Sequence, residues 1–155
     1  MLRNLPRHLA VLSAALWVGG TWAIGYLAVP VLFQTLPDRQ LAGLLAGKMF
    51  TWMAFAGIAC ALYLLAYQFR QFGRPVWKQK SFLVVVVMLT LLVISQFGIQ
   101  PIMTDLKSQA LPLDVMHSAL APQFKTWHAV SGILYLMQSL LGIVLIARSV
   151  DLKNA

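Results

Sequence analysis

Two runs of side chains in this 155-residue chain combine chemical type and spacing in a way that could serve one task. At 100° per helical residue, Met49, Met53, Ala56, Cys60, Tyr63 and Tyr67 fall within an arc of roughly 80°. His128, Ser131, Tyr135, Gln138, Ser139 and Gly142 share an arc of about 100°. Thioether, thiolate and imidazole are soft donors that suit Cu(I) better than magnesium or calcium. His128, Met53, Met49 and Cys60 are therefore the metal candidates, with His117 and Met103 able to fold down from a neighbouring loop. Haem is the adjoining alternative. It needs two imidazoles at matched depth, which only His117 and His128 can supply because His8 falls at the other end of its helix.

The same stripes have a plainer reading. Hydroxyls and amides on one face of a membrane helix commonly form interhelical hydrogen bonds worth about 0.6 kcal/mol each. Methionines at helical spacing usually fill gaps. Gln96, Gln100, Ser131, Tyr135, Gln138 and Ser139 then form a polar interior that binds no metal or cofactor. Catalysis has little to build on. The chain has no Gly-rich phosphate loop, no paired carboxylates and no nucleophile elbow. Ser131 stands one turn from His128 with no acid to orient it. The expectation is a protein that is not an enzyme.

The elements that position these groups follow from charge. Only 10% of residues are charged and 60% are hydrophobic, against about 25% charged in a soluble domain. Residues 9–36, 49–69, 81–104 and 126–147 contain no Lys, Arg, Asp or Glu. Each meets the roughly 20 residues needed to cross a hydrocarbon core as a helix. The expectation is a single integral membrane domain over 1–155. One cysteine rules out an intrachain disulfide. The net charge of +8 lies beside apolar spans, which points to a lipid surface rather than nucleic acid.

Arg3, Arg7, Arg70, Arg74, Lys78, Lys80, Arg148 and Lys153 fall on one side of four spans; Arg39, Lys48, Lys107 and Lys125 fall on the other. The positive-inside rule places both termini in the cytoplasm of a bacterial inner-membrane protein. Apolarity through Phe33, with no A-x-A-like site, reads as an uncleaved first helix. A periplasmically active reporter fused after residue 110 should give signal, and one fused at residue 155 should not. The reverse pattern would contradict the orientation.

The expected fold is an all-α, antiparallel four-helix transmembrane bundle with one or two short outer helices. Asp38 caps a helix that runs through Lys48 to about residue 70, some 32 residues and roughly 48 Å. Pro101 to Pro122 forms an outer segment with room for a short helix beginning near Asp114. Gly73-Arg74-Pro75 is a tight basic connector, and Gly19, Gly20, Gly25 and Pro30 permit close approach or a kink. The polar stripe of the fourth span faces the other helices, so Gln138→Leu should be felt in folding or function while Leu141→Ile is milder. Periodicity cannot make two stripes oppose each other. The expectation is accordingly a dry, closed core with His128 bonded to backbone; the alternative is a polar, sulfur-lined cavity with His128 at its mouth.

Leu16-Trp17-Val18-Gly19-Gly20, then Gly25-Tyr26 and Ala28-Val29-Pro30-Val31-Leu32-Phe33, form a recognisable pattern. Asp38-Arg39, Ala42-Gly43, Ala46-Gly47 and Phe50 continue it, and Trp127-His128 with Ser131 and Tyr135 close it. Together these resemble a bacterial inner-membrane family known as domain of unknown function 4149, related to eukaryotic transmembrane protein 205. A looser similarity reaches small copper-resistance and haem four-helix membrane proteins, which carry Trp-x-Gly-Gly after a histidine. The nine-residue step from His8 to Trp17 does not match that spacing. The resemblance implies a four-helix membrane protein without assigning an activity. The leading expectation is an accessory or structural component that packs with itself or with a larger membrane assembly, using the small-residue seams Ala42/Ala46 and Gly43/Gly47. Copper handling or small-solute transport, and a haem redox module, are the alternatives.

Overall fold

The computed structural model describes residues 4–111 and 113–151, with side chains through Arg148; Arg3 and Lys153 lie outside the described residues. It comprises four long helices: α1 (Leu5–Thr35), α2 (Arg39–Phe72), α3 (Lys80–Ala110) and α4 (Ala121–Asp151). All four are long and apolar enough to span a membrane. Their large apolar side chains point outward as well as inward. Leu12, Leu16, Leu62, Ile133 and Leu140 are all more than half exposed on the bundle surface, which is the pattern of a lipid-facing wall.

Local chemistry sets the helix ends. Asp38 Oδ1 accepts from the backbone N–H of Gln40 at 2.8 Å and Leu41 at 3.2 Å, satisfying two orphan donors at the start of α2. Gly73, at φ 60°, terminates α2 where a side chain would be strained. A 3₁₀ turn over Arg74–Lys78 then leads into α3. Asp114 caps a second short 3₁₀ turn, Val115–His117, by accepting from Met116 N at 3.2 Å.

Near the 73–79 connector the helices close into a complete ring, α1 to α2 to α3 to α4 and back to α1. Trp17, Val18, Cys60, Ala61, Leu64, Val85, Met88 and Leu145 fill its core. The indole of Trp17 is 1% exposed and lies against Gly57, with Leu92 on the third side. Val18 likewise packs on Gly142 of α4. Glycine at these points lets neighbouring backbones take a bulky side chain between them. Gln68 and Ser81 tie α2 to α3 at the connector through a 2.8 Å hydrogen bond donated by the serine hydroxyl.

The opposite half is built differently. Both α1 and α3 pass through a π-helical segment, Ala23–Ala28 and Ile94–Ile99. Each precedes a proline whose ring rejects the carbonyl four residues back, Tyr26 for Pro30 and Phe97 for Pro101. Widening the helix by one residue relieves that conflict without breaking it. Beyond these segments α1 stays against α2, and α3 stays against α4. The two pairs part from each other.

Three expectations are corrected here, and one open question is answered. The core is not closed at this end, because the pairs diverge. The third helix does not stop near residue 104 but runs on through Pro101 to Ala110, into the expected outer segment. The facing of the α2 sulfur stripe, which periodicity left open, is mainly toward α1: Met53 lies against Gly20 while also lining the cavity, Cys60 shares the closed core with Ala10, Ala14 and Trp17, and Tyr63 donates to the Pro6 carbonyl at 3.1 Å. The Ala42/Ala46 seam is buried inside the chain at 0% and 6% exposure, so it presents no surface to a partner.

A cavity between two helix pairs

The divergence leaves a cavity of about 1220 Å³. All four helices contribute to its wall: Gly25 and Tyr26 from α1, Gly47, Phe50 and Met53 from α2, Gln96, Gln100 and Met103 from α3, and His128, Ser131, Tyr135 and Gln138 from α4. Drug-sized ligand pockets run from about 300 to 1,000 Å³, so the space exceeds what a small polar solute needs. Its lining is mostly apolar, with a few polar groups converging from α3 and α4.

Tyr135 forms the floor. Its hydroxyl donates to the carbonyl of Thr21, an acceptor in the turn just before the π segment. Its ring meets Tyr26 and Phe50 edge-to-face at centroid distances of 5.7 and 5.6 Å. Gly25 makes this possible, since a β-carbon there would overlap the phenol. Just below, Gln138 is 6% exposed, and neither Oε1 nor Nε2 has a hydrogen-bond partner among the described residues. A buried primary amide left unpaired costs about 1–3 kcal/mol.

The unpaired amide gives the Gln138 expectation a direction. Leucine at this position removes an unpaired amide and keeps most of the volume. Gln138→Leu should stabilise the folded bundle by about 1–3 kcal/mol, read as a higher unfolding midpoint in a fixed detergent. A fall in that midpoint would mean the amide is bonded in the folded protein.

The rim lies at the ends of α3 and α4. His128 stacks on Phe124 at 5.9 Å between centroids and 16° between planes. His117, in the connector, holds its Nδ1 3.8 Å from Asp114 Oδ2. Lys107 reaches from α3 over the Phe124 ring, 5.6 Å from its centroid.

Of the metal candidates, Met53, Met103, His117 and His128 line the cavity. Met49 instead lines a separate outer groove with Lys48 and Trp52, and Cys60 lies in the closed core. Among the described residues no three His, Cys, Asp or Glu side chains converge as a metal site. Met49 and Cys60 are thus separated from the donors on the cavity wall. The two imidazoles of the haem alternative are each held by a different neighbour. No arrangement among the described residues supports a copper or haem site, and no chemistry is routed through either group.

Of the polar candidates, Gln96, Gln100, Ser131, Tyr135 and Gln138 line the cavity, and Ser139 is buried beside it at 5% exposure. Sequence reasoning missed Lys107, Gly25, Tyr26 and Phe50. One signal was available: Pro30 and Pro101 interrupt the first and third apolar spans toward the same end of the bundle. Interrupted helices in corresponding places point to a binding site between them.

The sequence pattern of a family described as "Domain of unknown function (DUF4149)" matches residues 12–112. That stretch covers most of α1 and all of α2 and α3, whereas Tyr135 and Gln138 lie beyond it on α4. No curated protein and no solved structure matches the chain.

Proposed function

The chain belongs to the DUF4149 family, and from that premise we propose that it is a membrane-embedded binding protein for an amphipathic small molecule. The observation that carries this reading is the cavity of about 1220 Å³ between the diverged helix pairs. A closed structural bundle would fill that space with side chains, because protein interiors pack at crystal-like density. Here two proline-linked π segments hold it open. The apolar lining suits a hydrocarbon body, and the convergent Gln96, Gln100 and Ser131 suit a polar group.

In this reading the protein binds and releases its ligand without transforming it. It sits in a bacterial inner membrane with its termini in the cytoplasm and the cavity toward the periplasm. The basic residues at the 73–79 end support that orientation: Arg7, Arg70, Arg74, Lys78, Lys80 and Arg148. An accessory role in a larger assembly is compatible with it, the ligand then being what the protein delivers.

Photolabelling tests the proposal. A diazirine-bearing fatty alcohol, irradiated with the full chain in detergent, should label cavity residues on several helices, among them Phe50, Gln96 and Tyr135. Labels confined to the outer wall at Leu12, Leu62, Ile133 and Leu140 would overturn it.

A further inference from the structure

The mouth of the cavity holds a partly buried cation, Lys107, that forms no direct ion pair among the described residues. Lys107 sits in the last turns of α3, and its ammonium crosses the gap between the helix pairs. It stands 5.6 Å from the Phe124 ring centre on α4, and a β-carbon built on Gly43 of α2 would lie 3.8 Å from Nζ. The same glycine position is 3.8 Å from Phe33 of α1. Groups from α2 and α4 therefore flank this ammonium, a glycine backbone on one side and an aromatic ring on the other.

The acids of this end are each held in local hydrogen bonds, although Asp38 and Asp114 line the same cavity. Asp38 accepts from two backbone N–H groups at the start of α2. Asp105 accepts from Gln109 Nε2 at 2.7 Å on the exposed side of α3. Asp114 caps the 3₁₀ turn and faces His117, acting on Lys107 only through space. Among the described residues no carboxylate forms an ion pair with Lys107. Arg39, also on the rim, is exposed to solvent; Lys107 is the partly buried cation of the wall. A compact ammonium removed from water and left unpaired is unfavourable until an anion joins it.

We infer that the ligand carries an anionic head group, a carboxylate at the end of a long apolar chain. The carboxylate pairs with Lys107 at the mouth, and the chain descends between Phe50, Met53 and Leu92 toward the Tyr135 floor. This inference rests on the amphiphile-binding reading above and adds to it the charge of the ligand and the residue that recognises it. Phe124 supports the ammonium from below through its ring face, leaving the N–H donors directed at the mouth.

Equilibrium binding of oleate and of oleyl alcohol to the full chain, in one neutral detergent at low salt, separates the two claims. The wild type should bind oleate about tenfold more tightly than the alcohol, the scale of one charge-assisted hydrogen bond. Lys107→Gln should lose that preference while holding the alcohol as before, which also reports that the variant is folded. Lys107→Arg should keep the preference. Equal affinity of the wild type for both molecules, or an unchanged preference in Lys107→Gln, would overturn the head-group assignment alone. Binding of neither molecule would overturn the amphiphile reading itself.

Discussion

Gly57→Ala should lower the stability of the bundle by about 1–3 kcal/mol, the usual cost of forcing one extra methyl into a packed core. The added β-carbon would stand 2.6 Å from Trp17 Nε1, 2.9 Å from Trp17 Cδ1 and 3.0 Å from Leu92 Cδ2. The indole has little room to yield, being 1% exposed within the closed core that also holds Ala10, Ala14 and Ala61. Helix propensity works in the other direction, since alanine favours a helix over glycine by about 1 kcal/mol. Steric conflict outweighs it here because three helices meet at this point. Gly57→Leu should prevent assembly altogether. Gly19→Ala is the control: a β-carbon there meets nothing within 4 Å, so propensity alone acts and the variant should be as stable as wild type or more so. Thermal unfolding of all three in one detergent reads the result. Equal loss at Gly19 and Gly57 would mean that the Trp17 pinch does not hold the ring together.

Filling the cavity should abolish binding without harming the fold. Gly47 on α2 and Gly132 on α4 both line it, and a β-carbon at either meets nothing within 4 Å. Leucine at either position finds free space near its attachment point instead of a clash. The double variant Gly47→Leu/Gly132→Leu should unfold at or above the wild-type temperature, because leucine is also the better helix former. Its affinity for an amphiphile should fall by at least about a hundredfold, since two inserted side chains compete with the ligand for volume it would otherwise bury at roughly 25 cal/mol per Å². Stability and binding thus move independently. A double variant that still bound oleate as the wild type does would place the ligand outside the cavity.

Much of the architecture was written in simple signals. The absence of charge over four long intervals dictates four spanning helices, because a backbone in hydrocarbon must satisfy itself. Asp38 before a run of helix formers was enough to place the start of α2, and its carboxylate does cap that helix. Within the α4 stripe Gln138 and Ser139 are buried, while His128 at its outer end is exposed. Helix-to-helix facing was not legible, since an α2 stripe read from periodicity fits α1 as well as α4. The fate of Pro101 was equally hidden. A proline in an apolar run ends, kinks or widens a helix according to its neighbours, and here the π segment lets α3 continue for another turn and more. That continuation carries Lys107 over the cavity, so the least legible local feature positions the most informative charge.

Native mass spectrometry of the intact full chain bears most directly on the central claim that the cavity between the helix pairs holds one amphiphile. Wild-type protein released from detergent with added oleate should show a single saturable adduct of one oleate per chain. The same spectrum of Gly47→Leu/Gly132→Leu should show the bare chain. A ladder of adducts that grows with oleate and is identical in both proteins would contradict the account, because it would describe lipid coating an outer wall and a cavity that takes no part.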